Sequence, residues 1–409
     1  MSASAFAQVK PVSIADLEKI ALEKLPRNVR AYYEGGAEDE ITLKENISSL
    51  QRYRVVPRYL VDVGPDKLDV RSRAIWGKKQ NVPFAIAPSA FHRLAGYDGE
   101  LDVARAAAKR GISMGLSSSA TSELEDVISA GRFASSQVTT DRQQQAGGSG
   151  HDLADSDWWQ QLYVSNIRSD TEDFIHRSEK AGYTALLITV DRPYLGRRHS
   201  YLREKFELPP HLKRTSGTKM AQGEILESKL MVSTVFEDPS MHWDELIPWL
   251  RSITEMKILL KGILHPEDAA LAIQHGLDGV VVSNHGGRQL DGAPATIDAL
   301  PGIADVIQGR IPIFFDGGVR KGIDVFRALA LGADMVLLGR AVLWGLAAGG
   351  EEGVGLALDI IAEEFRLVMA LAGVTDVTQI RRSTLALVNP YQVGLNHLQD
   401  SAWEDVRPK

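Results

Sequence analysis

The stretch Gly279-Val280-Val281-Val282-Ser283-Asn284-His285-Gly286-Gly287-Arg288-Gln289 decides the fold of this 409-residue chain. Its first four residues form a β-branched run that is typical of a buried strand. The strand must end near His285, because the glycine pair that follows cannot propagate it. A titratable imidazole at a strand end, three residues before an arginine, suits proton transfer at a bound anion. The alternative is a strand end with a histidine that only caps it.

The same alternation of strand, polar strand end and helix continues on both sides of this stretch. Apolar strands are expected at residues 83–88, 112–116, 162–164, 185–190, 258–262, 279–282, 311–315 and 335–338. Because these strands are apolar throughout and separated by helical patterns, they predict an α/β fold with a parallel sheet covered by helices. Eight such units over roughly 270 residues favour a (β/α)8 TIM barrel. No Gly-x-Gly-x-x-Gly follows the first strand to support a dinucleotide-binding sheet.

The chain divides into three parts around this barrel. Residues 1–80 are predicted to be an N-terminal helical extension, which begins with a helix over 13–34 capped by Ser13. Residues 81–375 are predicted to form the barrel, and residues 376–409 a C-terminal tail.

Two stretches interrupt the alternation. Residues 135–157 are polar, glycine-rich and without period, which predicts a mobile loop at the N-terminal face of the barrel. Residues 200–240 are also aperiodic, but they follow the strand that ends at Asp191 and should lie above the C-terminal face. A long loop in that position is typical of a lid.

The composition excludes several classes of protein. The hydrophobic fraction is 44% and the formal net charge is -7. No basic and aromatic cluster points to nucleic acid, and no apolar run reaches the length of a membrane span. The absence of cysteine excludes disulfides, thiolate metal sites and a catalytic thiol, and no metal site is predicted. We expect a cytoplasmic protein, because residues 1–10 lack an apolar signal core and the last three residues are not the peroxisomal signal.

In a barrel, the residues that follow the strands converge on one mouth. The segments Asp316-Gly317-Gly318-Val319-Arg320 and Gly339-Arg340 end the last two strands. Backbone N–H groups and guanidiniums at these adjacent ends predict a phosphate site. The alternative for either glycine segment alone is a simple turn.

Charged side chains at other strand ends predict a second, smaller anion site. Lys261 ends a strand inside the mouth, where an unpaired ammonium is costly, so it needs an anionic partner. Arg198 and Arg288 supply two guanidinium forks that suit a small carboxylate, with His285 between them. Asp191 is placed to pair with the imidazolium form of His285 and to raise its pKa.

Together these motifs resemble the FMN-dependent L-2-hydroxy acid oxidase and dehydrogenase family. That family includes glycolate oxidase, lactate oxidase, mandelate dehydrogenase and the flavin domain of flavocytochrome b2, and the glycolate oxidase branch is the most similar. The matching segments occur in family order, at residues 32–37, 87–90, 161–163, 189–191, 195–198, 260–262, 283–289, 316–320 and 339–340.

The resemblance implies non-covalent FMN and a role for each matching residue. His285 is then the base, Asp191 stabilises its protonated form, and Tyr163 hydrogen-bonds the substrate hydroxyl. Whether His285 takes the Cα proton or the hydroxyl proton stays open. The residues implied in binding the substrate carboxylate are Tyr32, Arg198 and Arg288. The residues implied in holding FMN are Pro88, Ser89, Ala90, Ser117, Gln161, Thr189, Lys261, Ser283, Asp316, Gly317, Gly318, Arg320, Gly339 and Arg340.

Some features depart from glycolate oxidase. The 135–157 insertion and the long tail over 389–409 are not expected in that branch, and no haem domain precedes residue 13. Ser119 stands where a bulky aromatic residue is common near the substrate. Serine leaves space above the flavin, so we expect a substrate with a medium or bulky side chain, aliphatic or aromatic. The alternative is that Phe91 or the 200–240 loop fills that space.

The resemblance leaves several functions open. An oxidase would reduce O2 to hydrogen peroxide, which Ala90 favours by resemblance to the oxidase members. A dehydrogenase would instead pass electrons to a quinone or to another protein. A barrel isomerase or lyase with a phosphorylated substrate, and a flavoprotein without catalysis, fit the charged residues less well. The resemblance also implies a homo-oligomer, specifically a tetramer.

Overall fold

The described part of the chain comprises residues 10–145, 156–216, 237–388 and 395–405 of a computed structural model. Its strands are β1 (Tyr53–Val55), β2 (Phe84–Ile86), β3 (Met114–Leu116), β4 (Trp158–Leu162), β5 (Ala185–Thr189), β6 (Lys257–Ile263), β7 (Gly279–Val282), β8 (Ile313–Phe315), β9 (Met335–Leu338), β10 (Leu385–Val388) and β11 (Leu395–His397). Its helices are α1 (Ile14–Lys24), α2 (Arg27–Glu34), α3 (Ile41–Ser48), α4 (Glu100–Ala108), α5 (Leu124–Gln145), α6 (Arg168–Ala181), α7 (His199–Glu204), α8 (Trp243–Ile253), α9 (Pro266–Gln274), α10 (Thr296–Ile307), α11 (Gly322–Ala330) and α12 (Arg340–Ala372).

Strands β2 to β9 close into a parallel barrel, in which each strand pairs with the next in chain order and β9 pairs back to β2. The predicted (β/α)8 barrel is therefore confirmed. Trp159 and Phe314 fill its interior with ring centroids 5.0 Å apart, so the barrel is a packed core and not a pore. Among the described residues, no helix has the length and apolarity needed to cross a membrane.

Several strand and helix boundaries differ from the prediction. The fourth barrel strand is Trp158–Leu162 and not 162–164, so Tyr163 lies just beyond the strand, in the mouth. Helix α12 consists of two helical segments, which non-helical backbone at Gly349 and Gly350 joins.

The prediction of a mobile loop over 135–157 is wrong for its first part. Helix α5 continues from Leu124 to Gln145, across most of the polar run. Glutamine and arginine are good helix formers, so the run propagates a helix although it carries no apolar stripe. Residues 146–155 lie outside the described part of the chain.

The N-terminal region and the C-terminal tail meet in space. Ser13 caps α1 through a reciprocal pair of hydrogen bonds with Asp16, and Pro26 separates α1 from α2. Strand β1 of the N-terminal region pairs antiparallel with β10 of the tail, as Tyr53 with Leu387. Helix α1 packs on α12, which follows the last barrel strand.

Candidate active site

A cavity of about 1340 Å³, its open mouth included, lies at the C-terminal ends of the barrel strands. Helix α2 and the segment after β5 cover part of it. All the residues predicted for the site line this cavity except Asp191 and Ser283, which lie directly behind its wall. The predicted residues in the lining are Tyr32, Pro88, Ser89, Ala90, Ser117, Ser119, Gln161, Tyr163, Thr189, Arg198, Lys261, His285, Arg288, Asp316, Gly317, Gly318, Arg320, Gly339 and Arg340.

His285 is oriented by the residues on both sides of its ring and backbone. Its backbone φ is +58°, a left-handed conformation that is unusual for a residue other than glycine. The Oγ of Ser283 accepts the His285 backbone N–H at 3.1 Å. Nδ1 lies 2.8 Å from Oδ1 of Asp191, and Nε2 lies 3.5 Å from the Tyr163 hydroxyl. With the proton on Nδ1, the imidazole presents a basic Nε2 to the cavity.

The protonation states of His285 and Asp191 differ in part from the prediction. Burial lowers the pKa of His285 below its ordinary value, and Asp191 only partly opposes that shift. Asp191 therefore raises the pKa of His285, as predicted, but burial keeps that pKa below its ordinary value. Burial by itself raises the pKa of Asp191, but His285, Lys261 and Arg192 outweigh it and keep that pKa low. A neutral imidazole beside a carboxylate is ready to accept a proton.

Two arginines, the buried Arg198 and the half-buried Arg288, face the cavity with their guanidiniums held by hydrogen bonds. Nη1 of Arg288 donates to the carbonyl oxygens of Tyr32 and Gly35 at 2.7 and 3.0 Å. The Tyr201 hydroxyl accepts from Arg288 Nη2 at 2.5 Å and from Arg198 Nη1 at 3.1 Å. A guanidinium has five N–H groups, so both arginines keep donors for a ligand. The Tyr32 ring stacks on Tyr201 with centroids 5.1 Å apart.

Lys261 already has an anionic partner in the protein. Its Nζ lies 3.0 Å from Oδ2 of Asp316 and donates to Oγ of Ser283 at 2.8 Å. Burial by itself lowers the pKa of Lys261, but Asp316 and Asp191 outweigh it and raise that pKa. The Oδ1 of Asp316 is buried and has no hydrogen-bond partner among the described residues. That oxygen is free to accept from a ligand hydroxyl.

The backbone that follows β8 approaches helix α3 too closely to admit a side chain at Gly318. Gly318 has φ +76°, and a Cβ there would lie 2.0 Å from the carbonyl oxygen of Asn46. Arg340 donates from Nε to the Tyr33 carbonyl at 2.8 Å and from Nη1 to that of Gly286 at 2.9 Å. Burial, with Arg288, Arg320 and Arg198 nearby, lowers the pKa of Arg340 to about 9. Among the described residues, neither the Arg320 nor the Arg340 guanidinium forms an ion pair, so this end of the cavity suits an anion.

Side chains at the ends of β3, β4 and β5 form a connected polar row. The Gln161 side chain accepts from Ser117 Oγ at 3.2 Å and donates to Thr189 Oγ1 at 3.0 Å. Pro88, Ser89 and Ala90 follow β2, the neighbour of β3 in the barrel, and line the same cavity. The polar row and this turn together offer polar and apolar contacts to a flat ring.

Several residues that line the cavity were missed by the sequence analysis. They are Tyr33, Arg192, Leu195, Tyr201, Phe206, Arg214, Gly286 and Leu343, among others. Tyr201 and Phe206 come from the stretch over 200–240, which includes helix α7; residues 217–236 lie outside the described part. The Phe206 ring lies 4.4 Å from that of Tyr32, and Phe91 is 6.5 Å from Phe206. Aperiodic sequence gives no signal for which of its side chains turn inward.

Comparison with known proteins agrees with this geometry. Residues 21–387 match the FMN-dependent dehydrogenase family. The chain is 41% identical to 2-hydroxyacid oxidase 1 of Homo sapiens over 92% of this chain and 98% of that protein. It is 42% identical to glycolate oxidase of Spinacia oleracea, over 91% of this chain and 95% of that protein. A structure of mandelate oxidase with (S)-4-hydroxymandelic acid has a TM-score of 0.79 at 34% identity, covering 92% of this chain and 98% of that one. The chain therefore belongs to the FMN-dependent dehydrogenase family.

Proposed function

We propose that this protein oxidises an L-2-hydroxy acid to the 2-oxo acid with FMN as cofactor and O2 as electron acceptor. The observation that carries the proposal is the His285–Asp191 pair, which presents Nε2 to a cavity that also holds Arg198 and Arg288. A base next to two carboxylate-binding forks suits removal of a proton from a 2-hydroxy acid.

The residues of the cavity fit FMN. The cluster of Arg320 and Arg340 beside Gly318 and Gly339 offers cationic and backbone donors to a phosphate. The free Oδ1 of Asp316 suits a ribityl hydroxyl. Gln161, Ser117, Thr189, Pro88, Ser89 and Ala90 would surround the ring, with Lys261 at its N1/O2 edge and Ser283 holding Lys261. When bound, FMN supplies the two-electron acceptor for the substrate.

The remaining residues bind and activate the substrate. Arg288 and Arg198 bind the carboxylate bidentately, with the Tyr32 hydroxyl as a further donor. Tyr163 hydrogen-bonds the substrate hydroxyl and so orients it towards Nε2 of His285. His285 takes a proton at Nε2, and Asp191 stabilises the imidazolium that forms. Ser119 lies where the side chain of the substrate would extend.

One purification tests this proposal directly. We expect a yellow protein whose flavin is released by denaturation, and whose absorbance bleaches without air when a 2-hydroxy acid is added. Admission of air should restore the absorbance within seconds and produce hydrogen peroxide. A protein that cannot be reconstituted with FMN would contradict the cofactor, and one that no 2-hydroxy acid bleaches would contradict the substrate class.

A second candidate differs only in the electron acceptor. The reduced protein would then stay reduced for minutes in air and reoxidise with a quinone. Ala90 lies at the cavity and supports the oxidase by family resemblance. A homotetramer and a cytoplasmic location are also proposals, which light scattering and cell fractionation test.

A further inference from the structure

Two arginines of the cavity have no part in the mechanism above. The Cζ of Arg192 lies 4.5 Å from the centre of the Tyr163 ring, and its Nη2 is 3.2 Å from Oε1 of Glu237. The Cζ of Arg214 lies 5.6 Å from the centre of the Phe91 ring. Both guanidiniums line the same cavity as His285. They therefore lie near the substrate and outside the carboxylate-binding forks.

Both arginines have hydrogen-bonding capacity that the protein does not use. The Nε atoms of Arg192 and Arg214 are buried and have no hydrogen-bond partner among the described residues. A buried charged donor without a partner is costly, so the site gains when an acceptor arrives. Stacking on Tyr163 and Phe91 gives contacts to the faces of the two guanidiniums, but it gives no acceptor to their Nε–H groups.

The backbone explains why Arg214 lies at this position. The N–H of Thr215 donates to the Ala120 carbonyl at 2.9 Å, and that of Ser216 donates to the Ser118 carbonyl at 3.3 Å. These bonds dock the segment after α7 on the turn that follows β3. Arg214 is thereby held at the cavity, which Ser119 also lines.

A count of charges points to one more anion than the mechanism uses. The cations of the lining are Arg192, Arg198, Arg214, Lys261, Arg288, Arg320 and Arg340. An FMN phosphate would neutralise Arg320 and Arg340, and the substrate carboxylate would pair with Arg198 and Arg288. Asp316 already pairs with Lys261. Asp191 pairs with His285 and Glu237 pairs with Arg192, whereas Arg214 forms no ion pair with a described carboxylate.

We infer that Arg192 and Arg214 bind a second carboxylate, carried at the end of the substrate side chain. The preferred substrates are then 2-hydroxy dicarboxylic acids, of which malate and 2-hydroxyglutarate are the shortest with one and two intervening methylenes. This inference rests on the proposed function, since it concerns the same substrate. It adds a terminal charge to the medium side chain expected from Ser119.

Aromatic rings set the separation of the two carboxylate sites. The Cζ of Arg288 lies 5.0 Å from the centre of the Tyr32 ring, which is itself 5.4 Å from the Phe91 ring. Arg214 lies over that second ring. Arg288 and Arg214 therefore stack on different rings. A substrate with a spacer between its charged ends can place one carboxylate at each guanidinium.

The test compares substrates of equal shape and different charge. (S)-Malate and (S)-2-hydroxy-4-methylpentanoate have side chains of nearly the same shape, one anionic and one neutral. For the wild-type protein we expect kcat/KM for flavin reduction to be about tenfold or more higher for malate than for 2-hydroxy-4-methylpentanoate. 2-Hydroxyglutarate should exceed 2-hydroxyhexanoate by a similar factor, which is the contribution of a charged hydrogen bond. Arg214→Met should remove most of that preference, and Arg214→Lys should restore part of it. Lys213→Met removes an exposed positive charge one residue away and should leave the preference unchanged.

A binding measurement complements the rates. Calorimetry of the products should show 2-oxoglutarate binding more tightly than 2-oxohexanoate to the wild type, and the advantage should vanish in Arg214→Met. If neutral 2-hydroxy acids reduce the flavin as well as the dicarboxylates do, the inference is overturned and the proposed function stands. If no 2-hydroxy acid reduces it, the proposed function itself fails. An equal loss for both members of a pair in Arg214→Met would assign Arg214 a structural role and also overturn the inference.

Discussion

Asn46 and Asn284 form a reciprocal pair of hydrogen bonds between their side-chain amides. Nδ2 of Asn46 donates to Oδ1 of Asn284 at 2.9 Å, and Nδ2 of Asn284 donates back to Oδ1 of Asn46 at 2.7 Å. Both side chains are buried. Asn284 directly precedes His285, so a helix of the N-terminal extension helps to fix the strand end that carries His285. The extension therefore supports the candidate active site and does not only cover the barrel.

Replacing one member of this pair should destabilise the protein. In Asn46→Leu, the amides of Asn284 and of the Thr296 backbone lose their shared acceptor while the volume is retained. We expect the free energy of unfolding in urea to fall by about 1–3 kcal/mol, the cost of a buried unsatisfied group. In the double variant Asn46→Leu/Asn284→Leu, the total loss of unfolding free energy should be smaller than the sum of the two single losses, because both substitutions break the same pair. A change within 0.5 kcal/mol, roughly that of a surface substitution, would show that the pair is not structural.

His285→Gln should separate flavin binding from flavin reduction. The side chain stays polar and of similar reach, but it has no basic nitrogen to take a proton. We expect FMN to remain bound and its anaerobic reduction to slow by about 10²–10⁴-fold, with further loss from the missing imidazolium charge. Stopped-flow reduction within tenfold of wild type would exclude His285 as the base.

The pH dependence follows from the lowered pKa of His285. Protonation inactivates the base, so kcat/KM should rise with pH through a midpoint below 6.5 and be flat above it. At pH values between the lowered pKa of His285 in the folded protein and its ordinary value of 6.5, the unfolded chain binds more protons at this group than the folded protein does. Its contribution to stability therefore also rises with pH in that window.

Asp191→Asn tests the partner of His285 in the same profile. Because Asp191 raises the pKa of His285 against the effect of burial, its removal should move the midpoint to still lower pH. The plateau should fall by about 10²–10⁴-fold, since an amide neither fixes the Nδ1–H tautomer nor stabilises the imidazolium. An unshifted midpoint would mean that another group controls the acidic limb.

Arg288→Lys should impair both substrate binding and turnover. An ammonium cannot reach the Tyr32 carbonyl, the Tyr201 hydroxyl and a substrate carboxylate together, as the guanidinium fork does. We expect kcat/KM to fall about 10–100-fold, the value of one charged hydrogen bond, with KM raised and kcat lowered. If both constants keep their wild-type values, Arg288 does not contact the carboxylate.

Ser119→Trp should change the ranking of substrates by size. Ser119 is buried in the cavity wall, and its carbonyl accepts the backbone N–H of Phe91 at 3.1 Å. An indole there would occupy the side-chain space, where each methylene is worth about 0.8 kcal/mol of binding. In the series glycolate, lactate, 2-hydroxyoctanoate and mandelate, we expect the wild type to favour the larger acids and the variant to favour glycolate. An unchanged ranking would mean that Phe91 and Phe206 set the pocket size instead.

The barrel was predictable from sequence because its strands carry a strong local signal. Runs such as 279–282 are β-branched and end at glycine or polar residues, and parallel strands must bring those ends to one mouth. That rule placed His285, Lys261 and Asp316 in one cavity before their distances were known. The site residues thus follow from strand order more than from any single motif.

Contacts that depend on barrel closure were not predictable. The sequence required a partner for Lys261, but only the closed barrel brings Asp316 within 3.0 Å of it. Tyr201, Arg192 and Arg214 carry no periodic signal, since their positions depend on how an irregular segment docks on neighbouring turns. The sign of the pKa shift of His285 also depended on burial, which competes with the visible charge of Asp191.

The pairing of β1 with β10 has a consequence for the protein during its synthesis. Strand β1 leaves the ribosome long before β10 and α12 exist. Until then, Leu17 and Ala21 of α1, both fully buried in the finished fold, lack the helix on which they pack. The emerging chain must therefore carry exposed apolar surface of the kind that chaperones bind. An enzyme whose early and late segments interlock in this way completes its fold only after β10 has emerged, and not from the N-terminal segments onwards.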